Sequence, residues 1–411
     1  MNKMRQDMSS SHCNWLTTWS QSQKGLGLFP INDNGHTVAY QIPIQNSGDR
    51  IRLSLGNYYG ESAFEVAAIT VSDKADRDFK QVTVGGERSF VLEINQTRKT
   101  DELEFAVTPG SKLYVRIYYP EQSEDKRAVS GSIFGLDPKR FESGDCSQDN
   151  TLSIDKTYVD EFVADPYAVK FSQEFDQFKQ RYTLTIQGVD VRTKDAGHTI
   201  VAFGDSITEQ NHWVGPLQEQ IARTSNHRSS VVNAGISGNR LLKQIANLPR
   251  RAQYFGLSGV DRFEHDVFEV NTNVSTVIVS LGVNDIHQPG TDDFFSIDEL
   301  PTFKEMVDGF EKLISIAHQH NSRIILATIS PFIGYAKDAK NSEKELLRQA
   351  LNEWIRHNSL IDDCYDFDNI LADTETKSRL NEIYDSGDKL HPSATGGKAL
   401  LHLIDSHELI A

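Results

Sequence analysis

The chain has 411 residues, which at about 150 per domain predicts two or three domains and rules out a single small fold. Hydrophobic residues make up 38% and charged residues 24%, the balance of a folded chain rather than a disordered or fibrous one. The 42 Lys and Arg against 58 Asp and Glu give a net charge of −16, a field that repels phosphate backbones and anionic lipid and argues against nucleic-acid or membrane-surface partners.

Residues 1–19 carry charges and no apolar h-region, so no secretory signal is visible. The expectation is a cytoplasmic protein, with secretion if a leader precedes this sequence. Residues 1–192 read as β. The stretch 37–44 opens the series. Ile51, Leu53 and Leu55 then alternate with Arg50, Arg52 and Ser54, the period of a half-buried strand. Residues 64–71 and 91–94 follow, and Leu103, Phe105, Val107 and Leu113, Val115, Ile117 alternate again. Asn46-Ser47-Gly48, Gly85-Gly86 and Pro109-Gly110 supply turns between them. Short alternating strands at this spacing predict an antiparallel sandwich or jelly roll. Tyr182, Leu184 and Ile186 read as its last strand. The acidic stretch 135–175 is weakly patterned and reads as a long loop. Cys13, Cys146 and Cys364 lie far apart, which suits a reducing compartment and argues against a disulfide scaffold or a cysteine metal cage.

Thr193-Lys194-Asp195-Ala196-Gly197 is polar and ends in glycine, so the boundary is placed there, with domains at 1–192 and 193–411. Beyond it the runs 199–203, 230–233, 276–281, 323–329 and 364–367 are short and continuously apolar, as in strands buried on both faces. The runs at 276–281 and elsewhere fall far short of the ~18 residues of a membrane helix. Helical periods lie between them. Phe303, Met306, Val307, Phe310, Leu313, Ile314 and Ala317 share one helix face, as do Leu346, Leu347, Ala350, Leu351, Trp354 and Ile355 after a capping-box pattern, Ser342-x-x-Glu345. Strands alternating with helices predict a doubly wound parallel sheet.

In such a sheet reacting groups lie just beyond the carboxyl ends of the strands. Four segments there carry chemistry. Gly204-Asp205-Ser206-Ile207-Thr208 offers a serine where a strand turns into a helix, either as a helix cap or with its hydroxyl in the crevice. Asn233-Ala234-Gly235-Ile236-Ser237-Gly238-Asn239 offers a glycine whose N–H can approach a ligand closely. Gly282-Val283-Asn284-Asp285 offers a neutral amide suited to an oxyanion. Asp388-Lys389-Leu390-His391-Pro392 offers an imidazole with an aspartate three residues earlier to orient it. Pro392 fits the first position of the last helix.

Taken in this order, Gly204-Asp205-Ser206, Gly238, Gly282-x-Asn284-Asp285 and Asp388-x-x-His391-Pro392 make residues 198–411 resemble the GDSL/SGNH hydrolases. The segments 233–242, Arg262-Phe263-x-x-Asp266-Val267 and Trp15-x-x-x-Trp19 are similar to a two-domain subgroup related to rumen xylanase-associated acylhydrolases. Glu209-Gln210 departs from the Asp-Gly that often follows Thr208 in the family. The resemblance implies a flavodoxin-like three-layer α/β/α SGNH domain with a parallel sheet, preceded by the β-sandwich. It implies a serine esterase acting on short-chain carboxylic esters, with acetyl esters of carbohydrates a natural substrate class. Ser206 would be the nucleophile, His391 the base and Asp388 its orienting partner. Ser206, Gly238 and Asn284 would form the oxyanion hole, and no metal or organic cofactor is required. Asp205 and Asp285 are expected to bond backbone N–H groups. Trp15 and Trp19 are expected to pack rather than to form a sugar platform, and Arg240 is weighed as a substrate contact. Phe294-Phe295 would line an acyl pocket or anchor its loop.

Three readings compete. A metallophosphoesterase needs an Asp-x-His before its Gly-Asp block, whereas Asp285-Ile286-His287 comes after it. A non-catalytic carbohydrate-binding protein would not explain why every catalytic position is filled. An acyltransferase through the same Ser206 stays open, as does a homo-oligomeric state.

Overall fold

The computed structural model describes residues 14–27, 33–123, 126, 128–132, 136, 139–154, 182–183, 185–291, 295–335 and 341–410. Cys13, Leu184, Phe294 and most of 135–175 lie outside them.

The N-terminal region is antiparallel, as the alternation predicts. One sheet runs in the order Asn14–Ser20, Ile186–Thr193, Gly48–Gly56, Leu103–Val107, and the other in the order Lys139–Ser143, His36–Pro43, Lys112–Tyr119, Ala68–Ser72, Lys80–Val82. Their inward residues, among them Leu16, Tyr40, Leu53, Val71, Val115 and Val189, form one core. Two details differ from the sequence reading. The 64–71 run divides into Phe64–Val66 and Ala68–Ser72 in different sheets. The predicted loop contains an edge strand, Lys139–Ser143, anchored by Phe141 against Ala39 and Ile154. A single buried aromatic in a polar stretch carries no readable period, which is why the pattern hides it.

The C-terminal region holds a five-stranded parallel sheet in the order Ser230–Gly235, Thr199–Gly204, Val274–Ser280, Arg323–Ala327, Asp363–Tyr365. This is the 2-1-3-4-5 order of flavodoxin-like folds. Helices Val214–Thr224, Phe303–Gln319 and Asn341–His357 flank it. Ile200, Val201, Ala202 and Phe203 are fully buried, as continuous apolar strands covered on both faces must be. The capping box forms at Thr302 and Glu305, not at Ser342. Ser342 lies inside its helix, and Glu345 pairs with Arg348 at 2.7 Å instead. Phe303 and Leu346, both placed on buried faces by period alone, are exposed. Among the described residues no helix is long and apolar enough to cross a membrane.

The two regions meet along the edge strand Ser230–Gly235. An unpaired strand edge invites aggregation unless something covers it. Here the side-chain amide of Gln45 imitates a neighbouring strand. Its Nε2 donates to the Val231 carbonyl at 2.9 Å, and its Oε1 accepts from the Val231 N–H at 3.2 Å. The Ser230 hydroxyl donates to the Thr17 carbonyl at 2.5 Å, and Gln21 bridges in parallel to Asn233. Trp19 sits in the β core, and the Arg52 guanidinium lies 4.4 Å from the Trp15 ring. Trp19 thus packs within the β region, and Trp15 is half-buried under Arg52.

Candidate active site

Ser206 lies at the carboxyl end of the central-sheet strand Thr199–Gly204 and opens the short helix Ser206–Glu209. Asp205, not Ser206, caps that helix, its Oδ1 accepting from the Ile207 N–H at 3.0 Å. With the cap supplied by its neighbour, the Ser206 hydroxyl is left to meet His391, and Oγ lies 2.8 Å from Nε2.

His391 is fixed by its own turn. Asp388 Oδ2 lies 2.5 Å from His391 Nδ1, while Oδ1 accepts the N–H groups of Leu390 and His391 at 2.9 and 2.8 Å. Burial pushes the Asp388 carboxyl up, but hydrogen bonding to His391 and the imidazole's charge outweigh it, holding it well below the usual carboxylate range. Lys389 has φ +73°, a left-handed conformation costly for a side-chain-bearing residue. Asp385 holds it there by accepting both the Lys389 N–H at 2.9 Å and Nζ at 2.8 Å. The helix after His391 begins at Ala394 with Ser393 as its cap, so Pro392 precedes it instead of opening it, and a further short helix, Ser406–Leu409, follows.

Gly238 stands in a turn closed by the Asn239 N–H donating to the Ile236 carbonyl at 3.1 Å. Its φ is +77°, and a Cβ there would lie 2.4 Å from the Phe255 ring. Glycine is thus required twice, by torsion and by space. Asn284 lies on the helix Val283–His287 and donates from Nδ2 to the Asn239 carbonyl at 2.9 Å. The carbonyl that receives it belongs to the residue after Gly238, so these two candidate donors are tied to each other.

Buried charge surrounds the site. The Asp285 carboxylate accepts the Leu241 and Leu242 N–H groups at 2.6 and 3.0 Å, and burial pushes its pKa up to about 6. Burial likewise pushes Asp205 up to about 7. Both aspartates bond backbone, as expected. Arg262 is fully buried and donates to the Gly204 carbonyl at 2.7 Å, the Ala234 carbonyl at 3.0 Å and Asn239 Oδ1 at 2.9 Å. It thereby fixes the ends of the first two strands of the sheet. Arg240 is no free substrate contact. It pairs with Glu299 at 2.9 Å, donates to the Lys243 and Gln244 carbonyls, and covers Phe295 at 4.1 Å. Phe295 is buried with Leu26, Ile245 and Tyr254 and so anchors its loop.

Several contacts escaped the sequence reading. Glu209, the departure from the family block, meets a fully buried lysine from the β region, Lys24, at 3.0 Å, and its Oε2 accepts the Ser237 N–H at 2.5 Å. No local pattern links positions 185 residues apart. His287 and Gln288 both contact Asn284 Oδ1, at 2.9 and 3.1 Å. Their i+3 and i+4 spacing on one helix was a readable signal.

Residues 202–399 match the model of the GDSL-like Lipase/Acylhydrolase family. No curated protein matches the chain. Among solved structures the chain is similar to an acetyl xylan esterase from Geobacillus stearothermophilus, at 21% identity and a TM-score of 0.36 over 50% of this chain and 94% of that one. It is similar to a psychrotrophic esterase from Pseudoalteromonas sp., at 17% identity and a TM-score of 0.34 over 50% and 93%. A third is an α/β hydrolase enzyme from the metagenome of Lake Arreo, Spain, at 19% identity and a TM-score of 0.37 over 51% and 95%. The family match and the pairing of Ser206 with His391 make the C-terminal region GDSL/SGNH-like and support carboxylic ester hydrolysis as its chemistry.

Proposed function

We propose that the protein is a serine acylhydrolase in which Ser206 attacks an ester carbonyl, His391 takes the hydroxyl proton on Nε2, and Asp388 orients and stabilises the imidazolium. The observation that carries this is the continuous chain from Ser206 Oγ through the imidazole to Asp388, at 2.8 and 2.5 Å. Asp388 on Nδ1 leaves Nε2 as the acceptor, the tautomer a general base needs. The oxyanion of the tetrahedral intermediate is held by the N–H groups of Ser206 and Gly238 and by Asn284 Nδ2. His391 then returns its proton to the leaving alkoxide, activates water, and the acyl-serine is hydrolysed.

Short acyl groups on a carbohydrate are the proposed substrates. Tyr335, 42% exposed with its ring perpendicular to His391 at 6.4 Å, supports this reading, because an exposed aromatic beside the base suits the apolar face of a sugar leaving group. The end of the sandwich strand at Thr193 and the start of the parallel sheet at Thr199 support a domain boundary at 192–193 or just beyond.

The test is hydrolysis of p-nitrophenyl acetate, butyrate and octanoate by the intact protein and by Ser206→Ala. Turnover of the acetate ester should fall by about 10⁶-fold in the variant and should decline with chain length in the intact protein. Unchanged turnover would remove Ser206 as nucleophile.

A further inference from the structure

Resting on that assignment of Asn284, we propose that His287 and Gln288 are positioning residues that clamp the two non-serine donors of the oxyanion hole into one unit. The hydrogen bonds leave little freedom in how they can be drawn. The Asn239 carbonyl can only accept, so the Asn284 amide must turn Nδ2 toward it, at 2.9 Å. Asn284 Oδ1 therefore faces His287 Nε2 at 2.9 Å and Gln288 Nε2 at 3.1 Å, and both must donate to it. The Gln288 amide is oriented the same way, because Nε2 also donates to the Gly238 carbonyl at 3.1 Å. One side chain thus reaches both Gly238 and Asn284.

The arrangement requires a neutral His287 with its proton on Nε2. Burial, the Lys344 ammonium and His391 together push the His287 pKa down to about 3. Nδ1 then carries a lone pair and has no hydrogen-bond partner among the described residues, while Nε2 donates to Asn284. Lys344, also fully buried, donates to the carbonyls of His287 and Pro289 at 2.9 and 2.7 Å and pins the backbone beneath the clamp. Two donors on Oδ1 polarise the amide and strengthen what Nδ2 can offer an oxyanion. They also prevent the amide from rotating its oxygen into the site, where it would repel the developing charge.

The test is a double-mutant cycle on p-nitrophenyl acetate hydrolysis by the full chain, pairing His287→Phe with Asn284→Ala. His287→Phe should lower kcat roughly ten- to hundredfold, the cost of a misplaced group, and leave KM within about twofold. In the Asn284→Ala background the same change should alter kcat by less than about twofold, because the group it acts through is gone. His287→Gln, which keeps a donor, should recover most of the activity. Gln288→Met goes through the same cycle, so the inference stays open to refutation if the phenylalanine variant does not fold. Equal losses in both backgrounds, or full activity in His287→Phe and Gln288→Met, would overturn the clamp while Asn284 keeps its role. Full activity in Asn284→Ala would instead overturn the assignment on which the clamp rests.

Discussion

Asp190 in the β region and Asp205 at the candidate site are both buried aspartates, and the protein treats them in opposite ways. Asp190 takes Lys99 Nζ at 2.7 Å, Arg52 Nε at 2.9 Å and the Thr17 hydroxyl at 2.7 Å. Burial pushes its carboxyl up, but the two cations outweigh it and hold it below the usual range. The same cluster reaches across the seam, where the Thr272 hydroxyl donates to Asp190 at 2.8 Å and Lys99 to the Val270 carbonyl at 3.1 Å. Asp205 has the Ile207 N–H in place of a paired cation, and burial pushes it up to about 7. Paired carboxylates at the seam hold a fixed charge and act as fasteners. Backbone-bonded ones at the strand ends shape turns and can take up a proton.

If the seam is fastened by charge, its most sheltered pair should be the costliest to break. Lys24 is fully buried against Glu209. Lys24→Met would leave Glu209 buried without a cation and should destabilise the protein by about 3–5 kcal/mol in urea unfolding. Adding Glu209→Gln should recover most of that loss, since removing both charges removes the desolvation penalty. A double variant as unstable as the single one would mean that packing, and not charge, holds this contact. Because Glu209 also accepts the Ser237 N–H beside Gly238, kcat should fall with Lys24→Met even where the protein is folded.

How much of this was legible follows the range of each signal. The parallel sheet and the sandwich were readable because strand period is local, and Ser206, Gly238, Asn284 and His391 because each follows its own strand or stands just before a helix. The helix caps were not readable to the residue: Asp205 caps where Ser206 was one of two alternatives, and the helix after His391 opens at Ala394, two residues past Pro392, because the backbone torsions decide. The seam was not readable. No local pattern around Lys24 marks it as buried, and only the docking of one region on the other makes it a buried partner of Glu209. Tyr58 shows the same limit. It stacks on His265 at 3.5 Å across the seam, and nothing near it in sequence announces a partner.

A smaller effect is expected at Asp190 itself. Lys99 and Arg52 are each about a quarter exposed, with side-chain exposures of 28% and 23%, so both can turn to water when their anion is removed. Asp190→Asn should therefore cost about 1.5–3 kcal/mol, the range for a lost hydrogen bond to a charged group, and less than Lys24→Met. A loss as large as that of Lys24→Met would show that the open end of the seam is fastened as strongly as the closed one.

The smallest effect tests the other side of the comparison. An unfolded aspartate titrates near ~4, whereas folded Asp205 titrates at about 7. Between these values the folded chain holds a proton that the unfolded chain has lost, so this group's contribution to stability falls as pH rises through the window. Asp285 acts in the same direction up to about 6. Asp388, Asp190 and Asp266, held low, act in the opposite direction and only as pH falls below the ordinary carboxylate range. Asp205→Asn keeps the helix cap and removes this titration. The variant should match the parent near pH 4.5 and gain on it by on the order of 2–4 kcal/mol by pH 8. A difference that does not change with pH would mean that Asp205 stays ionised throughout, and that the strand-end carboxylates are charged fasteners like those of the seam.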